Sequence, residues 1–249
     1  MSGGKTYPTV EEAISLLSKS EVPTVITEGR DDFIVFRHLE EQLRDFGVDV
    51  LPIGDRKKVL ELFERRAEIG RDTGIAYIAD RDVWIYSGIP NQYENPLILF
   101  SNGYSIENDL FSDGPVVELM LFDEKDRFSD EARRFTRWYA LALSRHLAND
   151  DEGISNSPTD VLQSKEREEE FCATRISEVF PEQLYKEILG DIEMRLRGKS
   201  LIALALRQLA SNGRSPKYSK HALMEQCTVR WGPLLGGTRD KLREIFLAA

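Results

Sequence analysis

Thr24-Val25-Ile26-Thr27-Glu28-Gly29-Arg30-Asp31-Asp32 passes from a β-branched run straight into a cluster of carboxylates. The pattern returns further along the chain. Ile75-Ala76-Tyr77-Ile78-Ala79 leads into Asp80-Arg81-Asp82, and Leu97-Ile98-Leu99-Phe100 leads towards Ser105-Ile106-Glu107-Asn108. Short apolar runs bounded by Gly and Pro read as buried strands. As parallel strands, they would share one sheet edge at their carboxyl ends, where open α/β folds bind ligands. Carboxylates gathered there repel one another unless a divalent cation holds them, and oxygen-only donors suit Mg²⁺ or Mn²⁺.

The intervening segments fit that reading. Thr9 and Glu12 form the signature of a capped helix over residues 9–19. Phe33, Phe36, Leu39 and Leu43 recur at helical spacing from Asp31 onward, and Phe46-Gly47 ends that helix. A second strand follows over 48–53, then a helix opened by Gly54-Asp55 with Val59, Leu60, Leu62 and Phe63 on its apolar face. Gly74 and Pro96 precede the third and fourth strands. Strand and helix in alternation predict βαβ crossovers and a parallel sheet. Residues 83–95 have no convincing period and read as a loop beside the paired aspartates. Beyond residue 115 helical periodicity dominates, over 115–122, 130–148, 165–179, 181–189, 191–211 and 237–247, with a polar linker at 149–160. The expectation is an α/β domain over 1–112 and a helical C-terminal region over 113–249, serving dimerisation, partner docking or substrate binding.

With 249 residues, 41% hydrophobic and 31% charged, the chain reads as a soluble globular protein. No run approaches the roughly 20 apolar residues of a membrane span. Met1-Ser2-Gly3-Gly4-Lys5-Thr6 lacks an apolar signal core, which predicts a cytoplasmic protein. Cys172 and Cys227 stand alone and predict neither a zinc site nor a disulfide framework. The net charge of −10 is unevenly spread: residues 1–112 hold 12 Lys+Arg against 20 Asp+Glu, whereas residues 191–249 hold 11 against 5. An acidic ion site beside a basic phosphate-facing surface gives such a division, and so does ordinary variation in surface charge.

In an extended strand end, Asp80 and Asp82 point the same way. Asp80 is the expected primary Mg²⁺ ligand and Asp82 a direct or water-mediated one. Glu28 is the candidate general base, or the ligand of a second ion. Glu107 completes the cluster. Asp32, at a helix start, reaches a metal-bound water, although acids at helix N-termini are also favoured by the macrodipole, which is the preferred reading for Asp31. Phosphate contacts are expected from Arg30 and from Arg56, Lys57 and Lys58 at the start of a helix, where free backbone N–H groups attract anions. An exposed first turn accounts for those last three equally well. Arg81 should face away from the aspartates into an ion pair. Lys199 lies in Arg197-Gly198-Lys199, which lacks P-loop spacing; it is a substrate or partner contact, or a plain helix start. His38, His146 and His221 are scattered, and no nucleophilic triad is readable. Trp84 and Tyr86 are stacking candidates or a hydrophobic plug, whereas Phe135, Trp138 and Tyr139 read as core or interface.

The ordered set Glu28-Gly29-x-Asp31-Asp32 and Asp80-Arg81-Asp82 resembles the Toprim domain of topoisomerases, primases and certain nucleases. That domain carries a Glu after its first strand and an Asp-x-Asp after its third. Together with Ser105-Ile106-Glu107-Asn108 and Arg197-Gly198-Lys199-Ser200-Leu201, the set is similar to a Toprim-like nuclease family of phage-defence operons, which includes the effector of the PARIS anti-phage system. The resemblance spans residues 22–112 and, beyond them, only the Gly198-Lys199 segment. It implies a Toprim fold and metal-dependent cleavage of nucleic acid, with host tRNA as the target. It also implies an AriA-like ABC-type ATPase that holds the toxic effector until a phage is sensed. A homodimer is the expected active form. Two other readings stand beside it: a Mg²⁺-dependent phosphohydrolase of small molecules, and a non-catalytic, metal-holding interaction module.

Overall fold

A computed structural model describes residues 7–29, 33–70, 74–150 and 153–248. It divides into two compact units, one running to Gly114 and resuming at Cys227, the other from Pro115 to Gln226. The expected boundary near residue 112 is therefore matched at one end only, because the last helix belongs with the sheet.

The first unit opens with α1 (Val10–Leu17), closed by the expected capping box. Thr9 Oγ1 accepts from the Glu12 N–H at 3.2 Å, and Glu12 Oε2 accepts from the Thr9 N–H at 2.8 Å. The chain then runs through β1 (Thr24–Thr27), α2 (Phe33–Gln42), β2 (Asp49–Pro52), α3 (Arg56–Glu64) and β3 (Ile75–Ala79). It continues through α4 (Trp84–Ser87), β4 (Ile98–Phe100) and α5 (Ile106–Asp113). Gly47, at φ 61°, supplies the left-handed turn that releases the chain into β2.

All pairings are parallel and the strand order is β2-β1-β3-β4, with Thr24 opposite both Asp49 and Ile75 and Tyr77 opposite Ile98. The two central strands are buried at every position, as expected of a parallel sheet covered on both faces. Alternation divides them. Ile26, Ile75 and Tyr77 join Val10, Leu17, Val59, Leu62 and Phe63 in one core. Val25, Ala76 and Ile78 join Phe36, Leu39 and Leu43 in the other. The expected α/β class, a parallel sheet flanked by helices, is what the chain adopts.

The second core also holds Leu242 and Phe246. They come from the last helix of the chain, Pro233–Leu247, which follows a Pro at its first turn. Its start is held by Asp113, whose carboxylate accepts from the Leu234 N–H at 3.2 Å and the Leu235 N–H at 2.8 Å. Gly232 lets the two segments meet, since a Cβ there would lie 2.4 Å from Asp113 Cγ.

The second unit is built on α6 (Phe122–Leu147), followed by α7 (Pro158–Val161), α8 (Lys165–Phe171), α9 (Glu182–Gly190), α10 (Ile192–Arg195) and α11 (Gly198–Leu209). Then α12 (Lys220–Thr228) crosses the division, and the terminal helix is α13. Phe135, Trp138 and Tyr139 are all 2% exposed or less, so this aromatic cluster is core. Several expected bounds shift. Residues 115–120 form turns rather than a helix, and the 191–211 helix is broken at the extended Leu196. The helix expected over 165–179 stops at Phe171; Ile176 and Val179, beyond it, are exposed. Among the described residues, no helix is long and apolar enough to cross a membrane.

Asp113→Ala removes the acceptor for two N–H groups at the start of α13. It should lower the unfolding free energy by about 1–2 kcal/mol, read as a reduced midpoint in urea; an unchanged midpoint would show that α13 is held by its apolar face alone.

Candidate functional site

In the order β2-β1-β3-β4, the chain leaves β1 towards one side and returns through β3 on the other. The carboxyl ends of β1 and β3 therefore flank a topological switch point, the usual ligand crevice of an open α/β sheet. Glu28 follows β1 and Asp80 follows β3. The two are joined directly, with Glu28 Oε1 accepting from the Asp80 N–H at 2.7 Å. The Glu28 carbonyl also accepts from the Gly54 N–H at 2.6 Å, tying the end of β1 to the end of β2.

Asp80 turns its carboxylate to the start of α5. Its Oδ1 accepts from the Ile106 N–H at 2.9 Å, where the helix dipole favours a negative charge. Ser105 caps this helix, its own N–H donating to Asn108 Oδ1 at 2.9 Å. Glu107, on the first turn, is 2% exposed. Its Oε2 accepts from Ser105 Oγ at 2.7 Å, while Oε1 is buried with no hydrogen-bond partner among the described residues.

Strand alternation does not orient Asp82. β3 ends at Ala79, and Asp82 sits at φ 49°, in the left-handed region, where Asp is among the few tolerated side chains. Its N–H donates to the Tyr104 carbonyl at 2.7 Å, and its Oδ2 meets Arg56 Nη1 at 3.2 Å. Arg56 lies over the Trp84 ring at 3.7 Å, and its Nε and Nη2 are buried without partners among the described residues. The loop after β4 is held by Asp109, a residue the sequence reading passed over. Its oxygens accept from the Asn102 and Gly103 N–H groups at 2.9 and 2.8 Å. Its signal was a third polar residue on a first turn otherwise read only for Glu107 and Asn108. Burial raises the Asp109 carboxyl above the ordinary range.

The carboxylates feel one another. Burial, first, and then the charges of Asp82 and Glu107 push the Glu28 carboxyl up to about 7, against the opposing pull of the Asp80 N–H and Arg56. Among the described residues, no three of His, Cys, Asp and Glu are gathered as a group able to hold a metal ion. Asp80 is turned to a helix N–H and Asp82 to Arg56. The donor chemistry nevertheless fits a hard divalent cation: the set is carboxylate oxygens only, and Glu107 Oε1 is buried and unsatisfied.

The remaining candidates divide. Arg30, Asp31 and Asp32 lie outside the described residues. Arg56 joins the cluster, and with the exposed Lys57 it lines an open cavity of about 490 Å³. The free N–H groups expected at the start of α3 are partly used, because Asp55 Oδ1 accepts from the Lys58 N–H at 3.0 Å. Lys199 stands exposed at the start of α11, in the second unit. Arg81 makes no ion pair among the described residues, contrary to expectation; its Nε is buried without a partner. Its backbone N–H donates to Ser101 Oγ at 3.0 Å. Trp84 packs with Tyr93 and Phe100, at 5.3 and 5.7 Å between centroids, and sits at the margin of the core. The segment read as a loop thus contains a short helix anchored by an aromatic side chain. Cys172 and Cys227 are free thiols.

No protein-family model matches this chain, and no curated protein matches it significantly.

Because the Glu28 pKa is raised from 4.5 to about 7, its protonated form favours folding. That contribution is complete below about pH 4.5 and is lost as pH rises through about 7. Glu28→Gln keeps the acceptor for the Asp80 N–H and removes the charge. In EDTA it should match wild type near pH 4.5 and exceed it by about 1–3 kcal/mol at about pH 8. Parallel stability profiles in chemical denaturation would refute the assignment.

Proposed function

We propose that the chain is a Toprim-like, Mg²⁺-dependent nuclease acting as the toxic effector of an anti-phage system, with host tRNA as its substrate. The observation that carries this reading is the join between Glu28 and Asp80 across the switch point, with burial first, and then the charges of Asp82 and Glu107, raising the Glu28 carboxyl to about 7. Glu after one central strand and Asp-x-Asp after its neighbour is the Toprim arrangement, and here those two strands are adjacent and parallel. The phage-defence assignment rests on the ordered segments shared with that family, of which AriB is a member.

In this reading Asp80, Asp82 and Glu107 would hold Mg²⁺ or Mn²⁺, Asp32 is expected to join them, and Glu28 would serve as general base or as ligand of a second ion. When bound, the ion neutralises charge on the phosphoryl and leaving oxygens. As general base, Glu28 would take the proton of the attacking water. Asp80 and Ile106 fix the helix start that places Glu107 beside it. Arg56, drawn from Asp82 to the substrate, offers its unused N–H groups to a phosphate oxygen. Such an enzyme harms its host unless restrained, which accounts for an AriA-like ABC-type ATPase as controlling partner. A homodimer is the active form, with the helical second unit available for docking.

Incubation of total tRNA and, in parallel, plasmid DNA with Mg²⁺, Mn²⁺ or EDTA tests this reading. Metal-dependent cutting of tRNA is expected, reduced at least about 100-fold by Glu28→Gln. Cutting that survives the substitution or EDTA would sink the proposal. Phosphate release from small phosphoesters with both polymers intact would assign a phosphohydrolase instead. A shift in melting temperature with Mg²⁺ but no turnover would assign a metal-holding module.

A further inference from the structure

Asp82 pairs with Arg56 and follows Arg81 in the chain, and both arginines have donors without partners among the described residues. Arg56 Nε and Nη2 and Arg81 Nε are buried without partners among the described residues. A buried donor left unmade costs about 1–3 kcal/mol, and native proteins keep few such groups without a use for them. Each arginine lines its own cavity. Arg56 and Lys57 share the one of about 490 Å³. Arg81 shares one of about 590 Å³ with Lys241, which α13 brings to the sheet. Trp84 and Tyr93 line both.

The two cavities share one chemistry: each is lined by a pair of cations and by an aromatic wall of Trp84 and Tyr93. Phosphate groups match the cations, and the sugar and base match the wall. Glu94 on the Arg81 side and Glu61 and Glu64 on the Arg56 side limit the positive charge available in each. Glu64 is itself engaged by the Tyr93 hydroxyl. One anion would need only one cavity. Two of them, sharing Trp84 and Tyr93 and one of them lined by the Arg56 that pairs with Asp82, suit a ligand whose phosphates repeat along a chain.

We infer that the Arg81–Lys241 cavity is a second phosphate subsite, which seats the nucleotide neighbouring the one held at Arg56 and Lys57 on a single polynucleotide strand. The inference rests on the proposed nuclease reading for the nature of the ligand. It also gives α13 a substrate-binding role that sheet packing alone does not require.

The test measures binding of short single-stranded RNA and DNA, each fluorescently labelled, to the full chain in EDTA by anisotropy. Salt is varied from about 50 to about 200 mM. Lys241→Ala should weaken binding about five- to tenfold at low salt and make the logarithmic salt slope shallower by about 0.7, the loss of one phosphate contact. Arg81→Gln should act in the same direction. Lys19→Ala, exposed in the turn after α1, should behave as wild type. Lys241→Ala binding with wild-type affinity and slope, or wild-type protein binding neither strand, would overturn the inference. Because binding is read without chemistry, the two proposals fail separately. Lys241-dependent binding without metal-dependent cutting would remove the nuclease assignment and leave the subsite standing.

Discussion

The hydrogen bond from the Asp80 N–H to Glu28 Oε1 is the constraint on which the site depends. It spans the two central strands at the point where the chain changes direction across the sheet, and it fixes a carboxylate beside Asp82 and Glu107. Each carboxylate is then held by a different device. Asp80 is placed on the start of α5, Asp82 on Arg56, and Glu107 on the Ser105 hydroxyl. Without these partners the mutual repulsion would splay the loops apart. With them, burial and, after it, the charges of Asp82 and Glu107 still raise the Glu28 carboxyl, and Glu107 Oε1 has no partner among the described residues.

Such a cluster costs stability, and the two cores on either side of the sheet offset it. One core is closed by α1 and α3, elements close in sequence to the strands they cover. The other is closed by α2 together with α13. Val25, Ala76 and Ile78 face that second side and need the apolar cover that Leu242 and Phe246 provide. The return of the C-terminal segment is thus a packing requirement of the sheet. It also brings Lys241 to a cavity beside Arg81.

The basic groups follow the same logic as the acidic ones. Arg56 is placed between the Asp82 carboxylate and the Trp84 ring, and part of its planar fork has no partner among the described residues. Arg81, next to Asp82 in the chain, lines the second cavity, with its Nε buried and without a partner among the described residues. Buried, unsatisfied groups of both signs are therefore concentrated at one edge of one sheet, where local rules of stability are most often broken for function. This concentration distinguishes the edge from the ion pairs of the second unit. There, Arg214–Glu124 and Arg207–Glu131 are satisfied at 2.8 Å and serve packing.

Much of the fold was legible because it is local. The capping box at Thr9 and Glu12, the buried runs of β1 and β3 and the glycine at position 47 each depend on residues within one turn or one strand, so their pattern survives in one dimension. The acidic residues at the strand ends were legible for the same reason, since the end of a parallel strand is where its following loop begins. What each carboxylate meets was not legible. The alternation that would align Asp80 with Asp82 fails because the strand stops at Ala79 and Asp82 turns left-handed to reach Arg56. Asp109 and Asp113 look like ordinary helix-surface acids until their N–H partners, some of them more than a hundred residues away, are in place. The sequence by itself determined a parallel α/β sheet with carboxylates along one edge, because hydrophobic period and turn chemistry are local. Only the tertiary structure decided that α13 completes the sheet's second face and that the cavity beside Arg81 includes Lys241, because burial and charge pairing join residues that the chain keeps far apart.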